Sequence, residues 1–125
     1  MPKRNDHYTV TLKKTHLDWG RHRYTTTREP IAGEGDVPIH KREARQFDIQ
    51  RGYLCTATFS DGFPSFSARA AGNSRKGDPL AKQFQGDGDL KAFGRWFAHC
   101  GAEVDDMVSV TFTDEHTVNF ELIKH

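Results

Sequence analysis

Asp61 or Asp78, followed by Asp89-Leu90-Lys91, supplies the residue types that metal-dependent phosphodiester cleavage uses. That chemistry needs the acid-x-Lys on a sheet strand, so that two carboxylates and an ammonium converge on one metal and one phosphate. The residues after Asp89 are apolar at Leu90, Phe93, Trp96, Phe97 and Cys100, which is helical spacing. Asp89 therefore reads as a helix cap. A small metal-dependent nuclease stays open as the alternative built on this set. Seven histidines raise a metal site, but none forms HExxH, and neither His16 with His22 nor His116 with His125 has ligand spacing. Surface histidines are the plain reading, and no metal or cofactor is expected.

A nucleophilic cysteine needs a stabilised thiolate. Cys100 falls at the C-terminal end of the expected helix, on its apolar face, where the dipole disfavours the anion. Cys55 falls in an apolar strand. Both read as core residues. GxSxG, a phosphate-binding loop and a dinucleotide fingerprint are all absent from the sequence. These residues point to no catalysis of the chain's own.

The stretch from Asp18 to His40, DWGRHRYTTTREPIAGEGDVPIH, contains Arg21, Arg23 and Arg28, a threonine run at Thr25 to Thr27, and little that is apolar enough for a core. Arginine and lysine neutralise phosphates, while hydroxyls and backbone N–H groups hold register on a nucleic-acid backbone. Arginine also reads guanine with two hydrogen bonds, and an asparagine such as Asn73 reads adenine.

Charge layout picks out the same stretch. Residues 1–28 carry seven Lys/Arg against two Asp/Glu, residues 67–82 carry four against one, and residues 87–125 carry three against eight. Two basic blocks and an acidic C-terminal part make a directed field although the net charge is only +1. For any single charge, solvated surface is the plain alternative.

The elements that position these blocks are legible from periodicity. Tyr8 to Leu12 alternates as a first strand, Arg23 to Thr27 suits an extended segment, and Val37-Pro38-Ile39 is a short extended piece that Pro38 bars from a central ladder. Lys41 to Phe47 fits a short helix with Ala44 and Phe47 inward. Tyr53 to Phe59 and Phe63 to Ala70 are partner strands about the Asp61-Gly62 turn, and Gly72 to Gly77 is a loop. The helix from Asp89 ends at Gly101; Met107 to Thr113 and Val118 to Ile123 form a closing hairpin.

With 125 residues, the chain has the length of one domain, and nine Phe, three Tyr and two Trp supply a core that argues against disorder. The start, MPKRNDHY, lacks an apolar leader core, and no run of about 18 apolar residues could cross a membrane. With two cysteines, the expectation is a cytoplasmic protein with reduced thiols and no membrane contact. Many short strands and two helices give a strand-rich α+β domain, barrel-like or sandwich-like.

Three features together resemble a known family. They are Trp19-Gly20-Arg21 running into Val37-Pro38-Ile39 and the helix around Ala44 to Phe47; Phe59-Ser60-Asp61-Gly62 with a basic, Asn-containing loop after it; and the closing helix and hairpin. This order resembles the DNA-binding pseudobarrel of plant B-three transcription-factor domains. It is more similar to the recognition domains attached to restriction endonucleases with a phospholipase-D-like nuclease. Asp105 stands where the family commonly has glycine. The resemblance covers roughly residues 8–124 and implies a seven-stranded open pseudobarrel with two short helices, gripping the major groove of duplex DNA with two arms. The N-terminal arm, Asp18 to Arg28, would offer Trp19, Arg21, His22, Arg23, Thr25 and Arg28. The C-terminal arm, Ser67 to Lys82, would offer Arg69, Asn73, Ser74, Arg75, Lys76 and Lys82. Trp19 suits anchoring an arm better than touching a base. The implied function is sequence- or modification-specific duplex-DNA binding, with a nuclease subunit as a possible partner and the acidic C-terminal part facing away from the DNA. An RNA- or protein-interaction module using the same arms is the remaining alternative.

Overall fold

Alternate side chains of Met107–Asp114 are buried, with Val108, Val110 and Phe112 inward, and the partner segment Thr117–Ile123 buries Val118 and Phe120 in the same rhythm. The two pair as an antiparallel hairpin, Val110 opposite Phe120. The computed structural model describes residues 2–13, 35–72, 79–89 and 91–124. In chain order its elements are β1 (His7–Thr11), β2 (Val37–Pro38), α1 (Lys41–Gln46), β3 (Leu54–Phe59), β4 (Phe66–Ala71), β5 (Gln83–Gly86), α2 (Ala92–Cys100), β6 (Met107–Asp114) and β7 (Thr117–Ile123).

One seven-stranded sheet runs in the order β1-β6-β7-β3-β4-β5-β2. All neighbours are antiparallel except β3 and β7, which lie parallel with Ala57 opposite Val118. The sheet curls until its edge strands β1 and β2 face each other without a ladder, so the barrel is nearly closed with one open seam. Tyr8 Oη donates to the Pro38 carbonyl oxygen at 3.1 Å across that seam. The fold is thus an α+β pseudobarrel, as the sequence predicts. Pro38 stands on an edge strand, where its missing N–H costs no ladder bond.

Aromatic rings fill the interior. Phe59, Phe84, Phe93, Trp96, Phe112 and Phe120 are all buried, and Phe59 stands 4.7 Å from Trp96 and 5.7 Å from Phe120 between ring centroids. Full burial of each such side chain contributes roughly 1.5–3 kcal/mol. Helix α2 brings Phe93 and Trp96 against the end of the barrel where β3 finishes. At the opposite end α1 leads into Phe47, which meets Phe112 at 6.5 Å. Gly101 ends α2 in the left-handed conformation, its backbone N–H donating to Phe97 O.

Four details depart from the sequence reading or add to it. The partner strand begins at Phe66 and not at Phe63, whose N–H is taken by the Asp61 carboxylate at 3.0 Å within the turn. A strand absent from the expected set, β5, occupies Gln83–Gly86; with two inward residues, Phe84 and Gly86, it is too short for alternation to mark it. Helix α2 starts at Ala92, and Asp89 acts two residues ahead of the N-cap by accepting the Lys91 N–H at 3.1 Å. Beside the Ala44 expected inward, α1 also buries Glu43, which the sequence reading did not assign to either face. The extended segment expected at Arg23 to Thr27 lies outside the described residues.

Candidate nucleic-acid interface

In sequence, residues 14–34 fall between β1 and β2, and residues 73–78 fall between β4 and β5. The strands they feed are neighbours: Val37 pairs with Phe84 and Pro38 with Gln83. The chain enters β5 at Gln83 and enters β2 from the Val37 end, so the two basic stretches join this ladder from opposite ends. The ladder is two residue pairs long.

Of the residues expected in the N-terminal arm, Trp19, Arg21, His22, Arg23, Thr25 and Arg28 lie outside the described residues, as do Asn73, Ser74, Arg75 and Lys76 of the second arm. Arg69 and Lys82 are described, and both are exposed. Arg69 projects from the outer face of β4 between Leu54 of β3 and Gln85 of β5. Lys82 sits at the root of the second stretch, its N–H donating to Ala71 O and its carbonyl accepting the Ile39 N–H, both at 2.8 Å. A single residue therefore ties the end of β4 to the exit of β2. Gly72 precedes the stretch with φ +78°, a conformation that side chains rarely adopt.

Apart from the exposed Leu54, the residues on this outer face near Arg69 are polar. Thr56 faces Ser67 across the β3–β4 ladder, Gln83 and Gln85 lie on β5, and Thr58 donates to Asn119 at 3.0 Å on β7. Hydroxyls and amides of this kind make backbone contacts to nucleic acid, but they are equally at home on any solvated sheet face.

At the root of the first stretch the acidic part of the chain is close by. Leu12 exchanges backbone hydrogen bonds with Asp105 and Asp106, and Lys13 pairs with Asp105 at 3.7 Å. Buried Asp106 accepts from Lys124 at 2.7 Å, which raises the lysine pKa. The acidic segment is thus packed against the base of a basic one and is not held on a separate side of the fold.

The carboxylates proposed for cleavage are engaged elsewhere. Asp61 accepts the indole N–H of Trp96 at 3.0 Å and the Phe63 N–H. Asp89 pairs with Arg95, which holds its carboxyl below the usual carboxylate range. Asp78 lies outside the described residues. Among those described, no group of three or more His, Cys, Asp or Glu is placed to hold a metal ion. Burial pushes the Cys55 thiol up to about 12. The half-buried Cys100 thiol is also raised, first by desolvation and then by Asp61. The geometry gives neither cysteine a stabilised thiolate.

No family model matches the chain, and a search of curated proteins finds no match to it. Among the described residues, no helix is long and apolar enough to cross a membrane.

One group of residues escaped the sequence reading. Asp48, Gln50, Arg51 and Tyr53 line a cavity of about 280 Å³ between the exit of α1 and the start of β3. No spacing rule marks these four residues. The nearest signal is Arg51-Gly52, where Gly52 turns the chain with φ +91° and sets a cation beside an aromatic residue.

Proposed function

We propose that this protein is a duplex-DNA-binding domain, sequence- or modification-specific, that grips the major groove with its two basic stretches and performs no catalysis of its own. The observation that supports the reading is the β2–β5 pairing. It joins two stretches that are separated in sequence but share a basic character, and it leaves Arg69 and Lys82 exposed beside the second. A sheet whose two edges nearly meet, with Tyr8 bonded to Pro38 across the open seam, holds the roots of both stretches on one frame, which is what a two-armed grip on phosphates requires. The resemblance in sequence order to B-three domains and to restriction-endonuclease recognition domains points the same way. On that reading the protein works in the cytoplasm, with a separately encoded nuclease subunit as a partner.

Selection from a random duplex library, with and without methylated bases, tests the reading. The expected result is an enriched site whose affinity falls linearly on a log–log plot against salt. Arg21→Ala with Arg75→Ala should cost about 1–3 kcal/mol for each base contact removed. Unchanged affinity in that double variant would overturn the two-armed grip. Single-stranded RNA bound more tightly than any duplex would replace DNA with RNA as the ligand.

A further inference from the structure

The cavity lined by Asp48, Gln50, Arg51 and Tyr53 collects, within six successive positions, an aromatic ring, an amide, a carboxylate and a guanidinium. Its volume of about 280 Å³ lies just below the ~300–1,000 Å³ of pockets for drug-sized ligands, room for one planar ring system.

The walls are fixed by long-range bonds. Tyr53 Oη donates to the Glu115 carbonyl oxygen, and the ring is stacked with His116 at 6.0 Å and tilted against Phe112 at 6.3 Å. Burial raises the Tyr53 pKa, so the phenol stays neutral and keeps its proton for that bond. Gln50 Nε2 donates to Asp48 Oδ1 at 2.8 Å, which orients the amide, and Asp48 holds the left-handed conformation at φ 55°. An amide carries both a donor and an acceptor edge, the combination that reads the pairing edge of a base.

The cavity is also tied to the second basic stretch. Gln50 bridges to Leu80, and the Arg51 N–H donates to Pro79 O at 2.8 Å, just after residues 73–78. Arg51 is exposed, in position to meet a phosphate at the cavity mouth.

We propose that this cavity binds one nucleobase taken out of its stack, with the ring against Tyr53, its pairing edge on Gln50 and its phosphate on Arg51. The proposal rests on the nucleic-acid reading of the basic stretches and adds a single-base subsite to it. Extruding a base costs unpairing and unstacking energy, least for a mispaired base, so the subsite favours duplexes already weakened at one position.

The test uses the full chain and two probes. Deoxycytidine and deoxyadenosine 5′-monophosphates at millimolar concentration are titrated against the amide NMR spectrum, with inorganic phosphate as control. Shifts centred on residues 48–53 with a nucleotide and weaker with phosphate are expected, and Arg51→Ala should weaken nucleotide binding about tenfold, the size of one lost charge-assisted hydrogen bond. Gln50→Ala, at an exposed position, provides a second variant that leaves the core intact. Equal shifts with phosphate, or no nucleotide shift at residues 48–53, overturn the subsite. The second probe is a duplex carrying one mispaired base, which should bind more tightly than the fully matched duplex; equal affinity for the two also overturns it. Nucleotide shifts at residues 48–53 without any duplex binding keep the cavity and overturn the two-armed grip instead.

Discussion

Tyr8 and Pro38 meet across the seam of the barrel, the phenol of one edge strand donating to the backbone carbonyl of the other at 3.1 Å. Tyr8 is 4% exposed, so this bond lies inside the core and not at the rim. An exposed edge strand invites pairing with other chains; here a side chain spans the gap that backbone hydrogen bonds leave open.

Tyr8→Phe keeps the ring and removes the donor. The Pro38 carbonyl would then be buried without that hydrogen bond, at a cost of about 1–3 kcal/mol. Urea unfolding should show a lower midpoint with an unchanged slope. An unaltered midpoint would mean that the seam is held by packing alone.

Alkaline pH should loosen the fold. Desolvation first, and then the Glu43 and Cys55 charges, raise the Tyr8 pKa well above its ordinary value, and burial pushes Cys55 up to about 12. Between the unfolded and folded pKa values the unfolded chain has lost a proton that the native chain keeps. The stability from these groups is therefore complete below the unfolded values, near pH 9 for the thiol and pH 10 for the phenol, and falls as pH rises further. Each group contributes a slope of about 1.4 kcal/mol per pH unit inside its window. Denaturation from pH 7 to 12 should show this decline, and a shallower one in Cys55→Ala; identical slopes in both proteins would count against the buried thiol.

Gly86 ends β5 against the approach to α2. A Cβ there would overlap the Asp89 carbonyl oxygen and stand 2.7 Å from Ala92 Cβ, whereas a Cβ on Gly88 would meet nothing within 4 Å. Gly86→Ala must move backbone, at about 1–3 kcal/mol or more. Gly88→Ala has only its φ of +75° to accommodate, about 1 kcal/mol. Thermal melts of the two variants should rank in that order, and the reverse ranking would refute the close approach.

Glu43 offers a gain in stability. Its side chain is buried, one oxygen accepts from Arg42 at 3.0 Å, and the other has no hydrogen-bond partner among the described residues. Glu43→Met should raise stability by about 1 kcal/mol, since it removes a desolvated carboxylate oxygen and leaves Arg42 in water. A lower melting temperature would show that the carboxylate has a role this packing does not reveal.

Most of the scaffold was legible because its signals are local. The strict alternation of Met107 to Thr113, the apolar stripe through Phe93, Trp96 and Phe97, and Gly101 as a left-handed stop each act within a few residues, and the fold reproduces them. Strand β5 was not legible, because Gln83–Gly86 becomes a strand through β4 on one side and β2 on the other, and its own four residues contain too few alternations to say so. The buried Glu43 was missed for a similar reason: in Lys41–Gln46 it reads as one more charge on a polar helix, and its closeness to Tyr8, more than thirty positions away, is not visible within that segment. Of the residues expected in the arms, charge layout pointed to the blocks that contain Arg69 and Lys82, and the fold leaves both exposed. The cavity at Asp48 to Tyr53 was invisible because its walls are assembled by contacts to Glu115, His116 and Pro79.

The sheet order also governs when the barrel can form. Strand β1 pairs with β6, His7 opposite Thr111, and the parallel β3–β7 ladder likewise waits for a strand near the far end of the sequence. Loop closure over such separations is entropically costly, so this fold belongs with the slow-folding topologies dominated by non-local contacts. On the ribosome, β1 emerges with its hydrogen-bonding edge unoccupied and keeps it so until β6 is made. During that interval Tyr8, Val10 and Leu12 are exposed to other chains, and the lysines and arginines around them are the chain's defence against premature pairing.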